Sequence, residues 1–392
     1  MKWRRVLVAV AVLAVVAFVG AVIIRRTQRD GLEVDVGEQI TLETAAPGAS
    51  QPLAMAVLTD RGGRVDWSEK LDLLAFDRKG EGGFFDVWTM KPDGSQQSCL
   101  TCDTPGLPQR NVGQPAWHPS GEYIVLQAEK PQHPGRSRAA TPGIGVENNV
   151  WLITSDGARA FPITDLPDGT GVLHPHFSHD GTMLIWAEMI EAPPKGQALG
   201  GRWALKLADF RIDASGPQLT NLRTLQPNGD VFYESHGFTP DDSAILYTSV
   251  PEPVEPIWGF DIYRMDLRSG SVVNLTNSPD QWDEHAQISP SGENIVWMSS
   301  RDCGCDPGKL QELRTDLWMM NANGSGKTRL THFSESGFPE RLSKHVVTGD
   351  SAWSGDGRRL VVFTIARRGL LEFLNLRAEL VPIVVLDFGS PQ

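Results

Sequence analysis

His174, His236 and His285 recur along the chain, each just ahead of a short apolar or aromatic anchor: Phe177, Phe238 and Ile288. Gln114 and Asp350 hold corresponding positions ahead of Trp117 and Trp353. Imidazoles accompanied by a carboxamide and a carboxylate are a donor set suited to Zn²⁺ or Mn²⁺ if the fold brings them together. If it only lines a wet channel with them, the same side chains bond water. Four cysteines form a second group, Cys99-Leu100-Thr101-Cys102 and Cys303-Gly304-Cys305. A haem attachment is excluded because Asp103 follows Cys102 where histidine is required. Local or cross-loop disulfides in an oxidising compartment are expected of these cysteines.

The elements that must position these residues are repeats. Val65-Asp66-Trp67-Ser68, Pro115-Ala116-Trp117-His118-Pro119-Ser120-Gly121 and Pro175-His176-Phe177-Ser178-His179-Asp180-Gly181 are copies of one motif. It returns at His236-Gly237-Phe238-Thr239-Pro240-Asp241, at Ala286-Gln287-Ile288-Ser289-Pro290-Ser291-Gly292 and at Ser351-Ala352-Trp353-Ser354-Gly355-Asp356-Gly357. A second motif interleaves with the first: Asp86-Val87-Trp88 leads to Leu100-Thr101, Asn149-Val150-Trp151 to Ile163-Thr164, Asp261-Ile262-Tyr263 to Leu275-Thr276, and Asp316-Leu317-Trp318 to Leu330-Thr331. The third unit is degenerate around Trp203. Each unit therefore holds four short β-type runs, A to D, separated by tight turns that need positive φ. Six such units cannot bury their faces singly but pack radially around a channel. The fold expected is all-β, a six-bladed β-propeller. Thirty-nine glycines and 27 prolines fit a chain that turns often, and 40% apolar residues exclude global disorder.

These units resemble the propeller repeats of the TolB-like family, in their Trp-Ser-Pro-Asp-Gly-like and Asp-Ile-Tyr-like patterns, over about residues 53 to 388. The resemblance specifies fold and says little of function. Unlike TolB itself, the chain places no separate α/β domain of about a hundred residues ahead of the first blade. The sixth unit lacks a D run, and Leu53-Ala54-Met55-Ala56-Val57-Leu58 is expected to close the ring as the missing strand. In a propeller the A runs line the channel, so Gln114, His174, His236, His285 and Asp350 are expected at its mouth, with His174, His236 and His285 as candidate metal ligands. The arrangement is similar to metal-dependent lyases built on propellers, which hold a metal with histidines and a glutamine. The two cysteine motifs fall in units that are not neighbours in a ring of six, so a Cys₄ zinc site is not expected. Long B-to-C connections (130–148, 191–202, 250–260, 301–315 and 367–381) crowd one end of the disc, where binding is expected.

Val6 to Ile24 is an uncharged run of 19 apolar or glycine residues, about 28 Å of helix at 1.5 Å per residue. An uncleaved membrane anchor with basic flanks is expected over 1–29; the rival is a cleaved signal peptide, but Ile23-Ile24-Arg25-Arg26 is no cleavage site. Three basic residues lie on either side, so charge does not orient the anchor. Residues 30–52 read as a linker and 53–392 as the propeller. Net charge is −12, and all 48 acidic residues lie at or beyond Asp30, against 30 basic ones there. Such a body repels phosphate backbones, which excludes nucleic acid as the main partner.

Two resemblances are discounted. Gly324-Ser325-Gly326-Lys327-Thr328 lies in a C-to-D turn and not ahead of a helix, and Gly349-Asp350-Ser351-Ala352-Trp353 breaks the nucleophile-elbow pattern at its last glycine. With no catalytic domain beyond Gln392, a serine peptidase is not expected. The function expected is a membrane-anchored, extracytoplasmic (periplasmic or cell-surface) scaffold that binds a protein or carbohydrate on the long-loop face, without catalysis or cofactor. The alternative is a metal-dependent, polysaccharide-lyase-like enzyme working at the channel mouth.

Overall fold

The computed structural model describes residues 32, 34–42, 51–132, 139–192, 201–251, 259–367 and 379–392. The expected anchor, 6–24, lies outside them, and among the described residues no helix is long and apolar enough to cross a membrane. Six antiparallel sheets follow one another along the chain. Blade one runs Val65–Ser68, Leu73–Lys79, Phe85–Met90 and Ser98–Cys99 from inside to outside, and blade two Gly113–Trp117, Tyr123–Glu129, Asn148–Thr154 and Ala160–Pro162. Blade three, read as degenerate, has four strands like the others; its third and fourth, Arg202–Asp213 and Gly216–Leu225, form a long hairpin. Its residues alternate without the Asp-x-aromatic signature, which explains why the motif fails while the strands form.

The interleaved second motif is a clasp between the start of a C strand and the end of a D strand. Thr101, Thr164, Thr276 and Thr331 each donate a hydroxyl to Asp86, Asn149, Asp261 and Asp316, at 3.2, 3.1, 2.7 and 3.0 Å. The same hydroxyl oxygens accept the backbone N–H groups of Val87, Val150, Ile262 and Leu317. Each clasp satisfies a polar pair that the packing of one blade on the next would otherwise strand.

Ring closure is as expected. Ala54–Thr59 lies along Ile383–Asp387, with Met55 opposite Leu386 and Val57 opposite Val384. It completes blade six after Val346–Trp353, Arg359–Arg367 and Ile383–Asp387. Part of the expected linker joins it: Gln39–Thr41 pairs outside Ala54–Thr59, and Val34 and Leu42 enter the core around Phe333, Leu342 and Trp353.

The inner strands are not regular. In blades two to six the pairing of the first strand with the second slips at one place, between Gly113 and Ala116, Leu173 and His176, Ser235 and Phe238, Glu284 and Gln287, and Thr348 and Ser351. A β-bulge stands there, at the position of each predicted site residue.

Candidate functional site at the channel mouth

Gln114, His174 and His285 sit in these bulges with φ of 50°, 48° and 55°. Left-handed backbone is costly for such side chains, about 1–3 kcal/mol each, and it persists only where surrounding structure imposes it. Blade four uses Gly237, φ 86°, immediately after His236. The bulges aim the side chains into the channel, where the three imidazoles form a triangle with ring centroids 5.4, 5.8 and 5.9 Å apart. All five predicted residues are brought together or adjoin the cluster. His174 Nδ1 lies 3.2 Å and His285 Nδ1 3.0 Å from the same Asp350 oxygen. Gln114 spans His174, accepting its backbone N–H at 3.0 Å and placing Nε2 2.8 Å from the ring Nε2. His236 turns Nε2 to Thr248 Oγ1, 2.7 Å away.

Four participants lie outside the predicted set. Glu234 Oε1 is 2.5 Å from His174 Nε2, and Glu284 stands 3.8 Å from His285 Nε2 while accepting the Trp282 indole N–H at 2.6 Å. Arg64 pairs with Asp77 at 3.7 Å and approaches Asp350 at 4.0 Å. Asp77 also accepts the backbone N–H of Gln114, which fixes the bulge in blade two. The signal for the two glutamates was present: Glu284 directly precedes His285 and Glu234 stands two residues before His236, and a bulge turns neighbouring residues toward one side where a regular strand alternates them.

Charge follows from this packing. Burial disfavours a cation at His174, but Glu234 and Asp350 outweigh it and raise the group to about 10. Burial is likewise overcome at His285, which Asp350 and Glu234 raise. Burial would lift Asp350, yet His285 and His174 hold it well below the usual carboxylate range, and His174 brings Glu234 down to about 2 against the same burial. His236 is pushed well below the ordinary range by burial and stays neutral. Burial, then Glu234, pushes Glu284 up to about 8. Two imidazolium groups thus face two carboxylates, beside a neutral imidazole and a protonated carboxyl.

Donor atoms of His174, His236 and His285 lie within 4.8 Å of one another, as do those of Glu234, Glu284 and His285. Type and spacing fit a divalent cation, and the buried oxygen Asp350 Oδ2 accepts no protein N–H or hydroxyl. The cysteines are paired locally, Cys99 with Cys102 and Cys303 with Cys305, and offer no thiolate. Above the cluster, on the long-loop side, a cavity of about 130 Å³ opens between Arg64, the segment Gly143–Val146 and the aromatic side chains of blades three to five.

The inner, bulged strands around one channel, the four-stranded blades and the twin repeat motifs settle the architecture. The fold is a TolB-like six-bladed β-propeller. TolB from Acinetobacter baumannii is 16% identical, covering 85% of this chain and 64% of that one with a TM-score of 0.48. A gluconolactonase from Xanthomonas campestris aligns over 91% of this chain and 99% of its own, at 13% identity and a TM-score of 0.51. A manganese complex of an oligogalacturonate lyase aligns at 11% identity, over 90% and 98%, with a TM-score of 0.46. These likenesses concern the fold alone. By sequence, the propeller is 25% identical over 274 residues to dipeptidyl-peptidase 5 of Porphyromonas endodontalis, 62% of this chain and 36% of that one. An uncharacterized protein of Agrobacterium fabrum is 31% identical over 96 residues, 24% of this chain and 27% of that protein. The propeller thus spans about a third of the length of the curated relatives it matches. No protein-family sequence model matches it.

Proposed function

We propose that this TolB-like propeller is a binding module, held outside the cytoplasm by the anchor at 6–24, that takes its ligand at the channel mouth on the long-loop face without chemical turnover. The observation that carries the reading is the bulged cluster itself. Three side chains in left-handed backbone belong to a set of buried charges, of which Glu234, Glu284 and His285 line the cavity, an arrangement that costs stability and fits a ligand. Protein and carbohydrate are the ligand classes that such a face serves. The test is a binding screen of oligosaccharides and peptides on the full chain in detergent, repeated with Glu234→Gln. A ligand that binds the parent and is lost in the variant supports the reading; one that binds both equally places the site elsewhere.

A second reading, a metal-dependent enzyme of polysaccharide-lyase type, is favoured by the triangle of imidazoles. His174, His236 and His285 would hold the ion, which would supply Lewis-acid polarisation of a bound oxygen. The chain's own residues then have separate tasks. Asp350 orients two of the rings, Glu234 fixes His174 through its Nε2, and Arg64 faces an anionic group at the rim. Elemental analysis of chain purified without chelator decides between them: stoichiometric Zn²⁺ or Mn²⁺, lost in a folded His174→Ala, His285→Ala double variant, establishes the second reading, and a metal-free parent retains the first.

A further inference from the structure

The cavity above the cluster has walls of one kind. Trp203, Phe232, Phe260 and Trp282 follow one another around it, with centroid separations of 5.6, 5.3 and 4.8 Å and interplanar angles of 70°, 58° and 64°. Each ring is turned steeply to the next, so they form panels and not a stack. Trp203 and Trp282 are buried, at 2% and 7% exposure. At the floor stand Glu234 and Glu284, also buried, with the protonated Glu284 hydrogen-bonded to Glu234. The Trp282 indole N–H is committed to Glu284, which fixes that panel. Four aromatic panels stand over one carboxylate, Glu234, and the protonated Glu284; the rings supply the negative potential of the walls, and their apolar surface suits carbon substituents.

From these panels and that floor we infer that the cavity is an aromatic cage for an alkylated ammonium group, such as the trimethylammonium head of a choline-class ligand. The inference rests on the reading of the channel mouth as a binding site and names the chemical class of its ligand. The volume, about 130 Å³, is close to that of an apolar cavity that admits one benzene-sized group, about 150 Å³. It takes a head group and leaves the rest of a larger ligand on the long-loop face. The three cations nearby, His174, Arg64 and His285, each face a carboxylate. Arg64 is held by Asp77 and lies near Asp350, with its guanidinium carbon 5.3 Å from the Phe363 ring, and His285 faces Asp350. Glu234 is paired on one oxygen with His174 and is hydrogen-bonded by the protonated Glu284 beside it. An amine with N–H groups would need hydrogen-bond acceptors around it, whereas the walls provide ring faces and aliphatic side chains such as Leu173 and Met189. That favours the fully alkylated cation.

The probe is choline chloride against its neutral carbon isostere 3,3-dimethylbutan-1-ol, titrated by calorimetry into the chelator-treated full chain in a detergent without a choline head group. Choline should bind at least about tenfold more tightly than the alcohol, the discrimination that a desolvated cation–π site gives. Phe232→Leu and Phe260→Leu keep apolar bulk and remove a ring face. Each should weaken choline by about fivefold or more while leaving the alcohol within about twofold, with an unchanged far-ultraviolet spectrum as the control for folding. Equal affinity for the two probes, or a choline dissociation constant above about 10 mM, overturns the assignment. A saccharide or peptide lost in Glu234→Gln, with choline inert, overturns the ammonium cage and leaves the channel-mouth reading in place. No binding by any class removes both.

Discussion

Ring closure by the N-terminal strand sets up a direct comparison between two truncations. Removing residues 1–60 takes away Ala54–Thr59 together with Gln39–Thr41, whereas removing 1–31 takes away neither. The longer cut deletes five buried apolar side chains: Val34, Leu42, Met55, Val57 and Leu58, none more than 8% exposed. At about 1.5–3 kcal/mol per buried side chain, the loss is about 7–15 kcal/mol, an upper estimate because unfolded chains already bury some surface. That equals the whole stability of an ordinary domain, about 5–15 kcal/mol. The cut also strips Ile383–Asp387 of its partner and presents an unpaired edge. The 1–31 truncation should therefore melt at the temperature of the full chain by circular dichroism and elute as a single species. The 1–60 truncation should show no cooperative transition or one displaced by tens of degrees, and should aggregate. A milder form keeps the chain whole: Met55→Ala should cost about 2–5 kcal/mol. Equal melting temperatures for the two truncations would refute the closure and the packing energies assigned to it.

Three further outcomes are expected. At the bulge, His285→Gly should be more stable than His285→Ala by about 1 kcal/mol, the reverse of their order in a regular strand, because only glycine adopts φ near 55° freely; denaturant midpoints with alanine equal or better would contradict the strain. Asp66 is half-buried and its carboxyl is raised from 3.8 to about 6, chiefly by desolvation. The folded state therefore binds the extra proton between those values, and the parent loses about 3 kcal/mol as pH rises from 4 to 7; Asp66→Asn should gain that much on the parent over the same range, and a pH-independent difference would refute it. For topology, an alkaline-phosphatase-type reporter at the C-terminus should be active and a cytoplasm-dependent one inactive; the opposite pattern places the propeller inside.

What could be read from the sequence was whatever repeats. The turn motifs, the anchors at Trp67, Trp117 and Trp353, and the Asp/Asn-to-Thr pairs each report a local hydrogen-bonding need that every blade must meet, so they recur in register. The spare run at 53–58 was legible for the same reason: a blade without its fourth strand has an open edge. The site was only half legible. An offset of three residues from each anchor finds Gln114, His174, His285 and Asp350, because the bulge recurs at the same distance from the anchor in these blades. It misses Glu234 and Glu284, because a bulge breaks the period and turns two neighbours the same way. It misses the aromatic panels altogether. Trp203, Phe232, Phe260 and Trp282 stand at the edges of three different blades, and only ring curvature brings them to one cavity.

The energetics of the channel mouth separate it from the elements that hold the fold. Gln114, His174 and His285 together carry about 3–9 kcal/mol of backbone strain. Their side chains commit His174, His285, Glu234 and Asp350 to a buried ionic network. Such networks roughly break even against well-packed apolar residues of the same volume, since desolvation offsets the attraction. Strain plus a break-even network is a net cost, so the cluster is no stabilising core in disguise. The propeller tolerates it because neighbouring blades impose each bulge from outside: Asp77 of blade one takes the Gln114 backbone N–H, Gln114 takes that of His174, and Ser235 donates its hydroxyl to the His174 carbonyl. These contacts link the bulges of blades two, three and four to one another and to blade one. A substitution at Asp77, which touches none of the three imidazoles, is therefore expected to displace His174 through Gln114. In Asp77→Asn a carboxamide takes over the position that accepts the Gln114 N–H. The His174 ring proton resonances should shift in that variant while those of His332, held by Glu340 on blade five, stay in place. Unmoved His174 resonances would show that each bulge is set within its own blade.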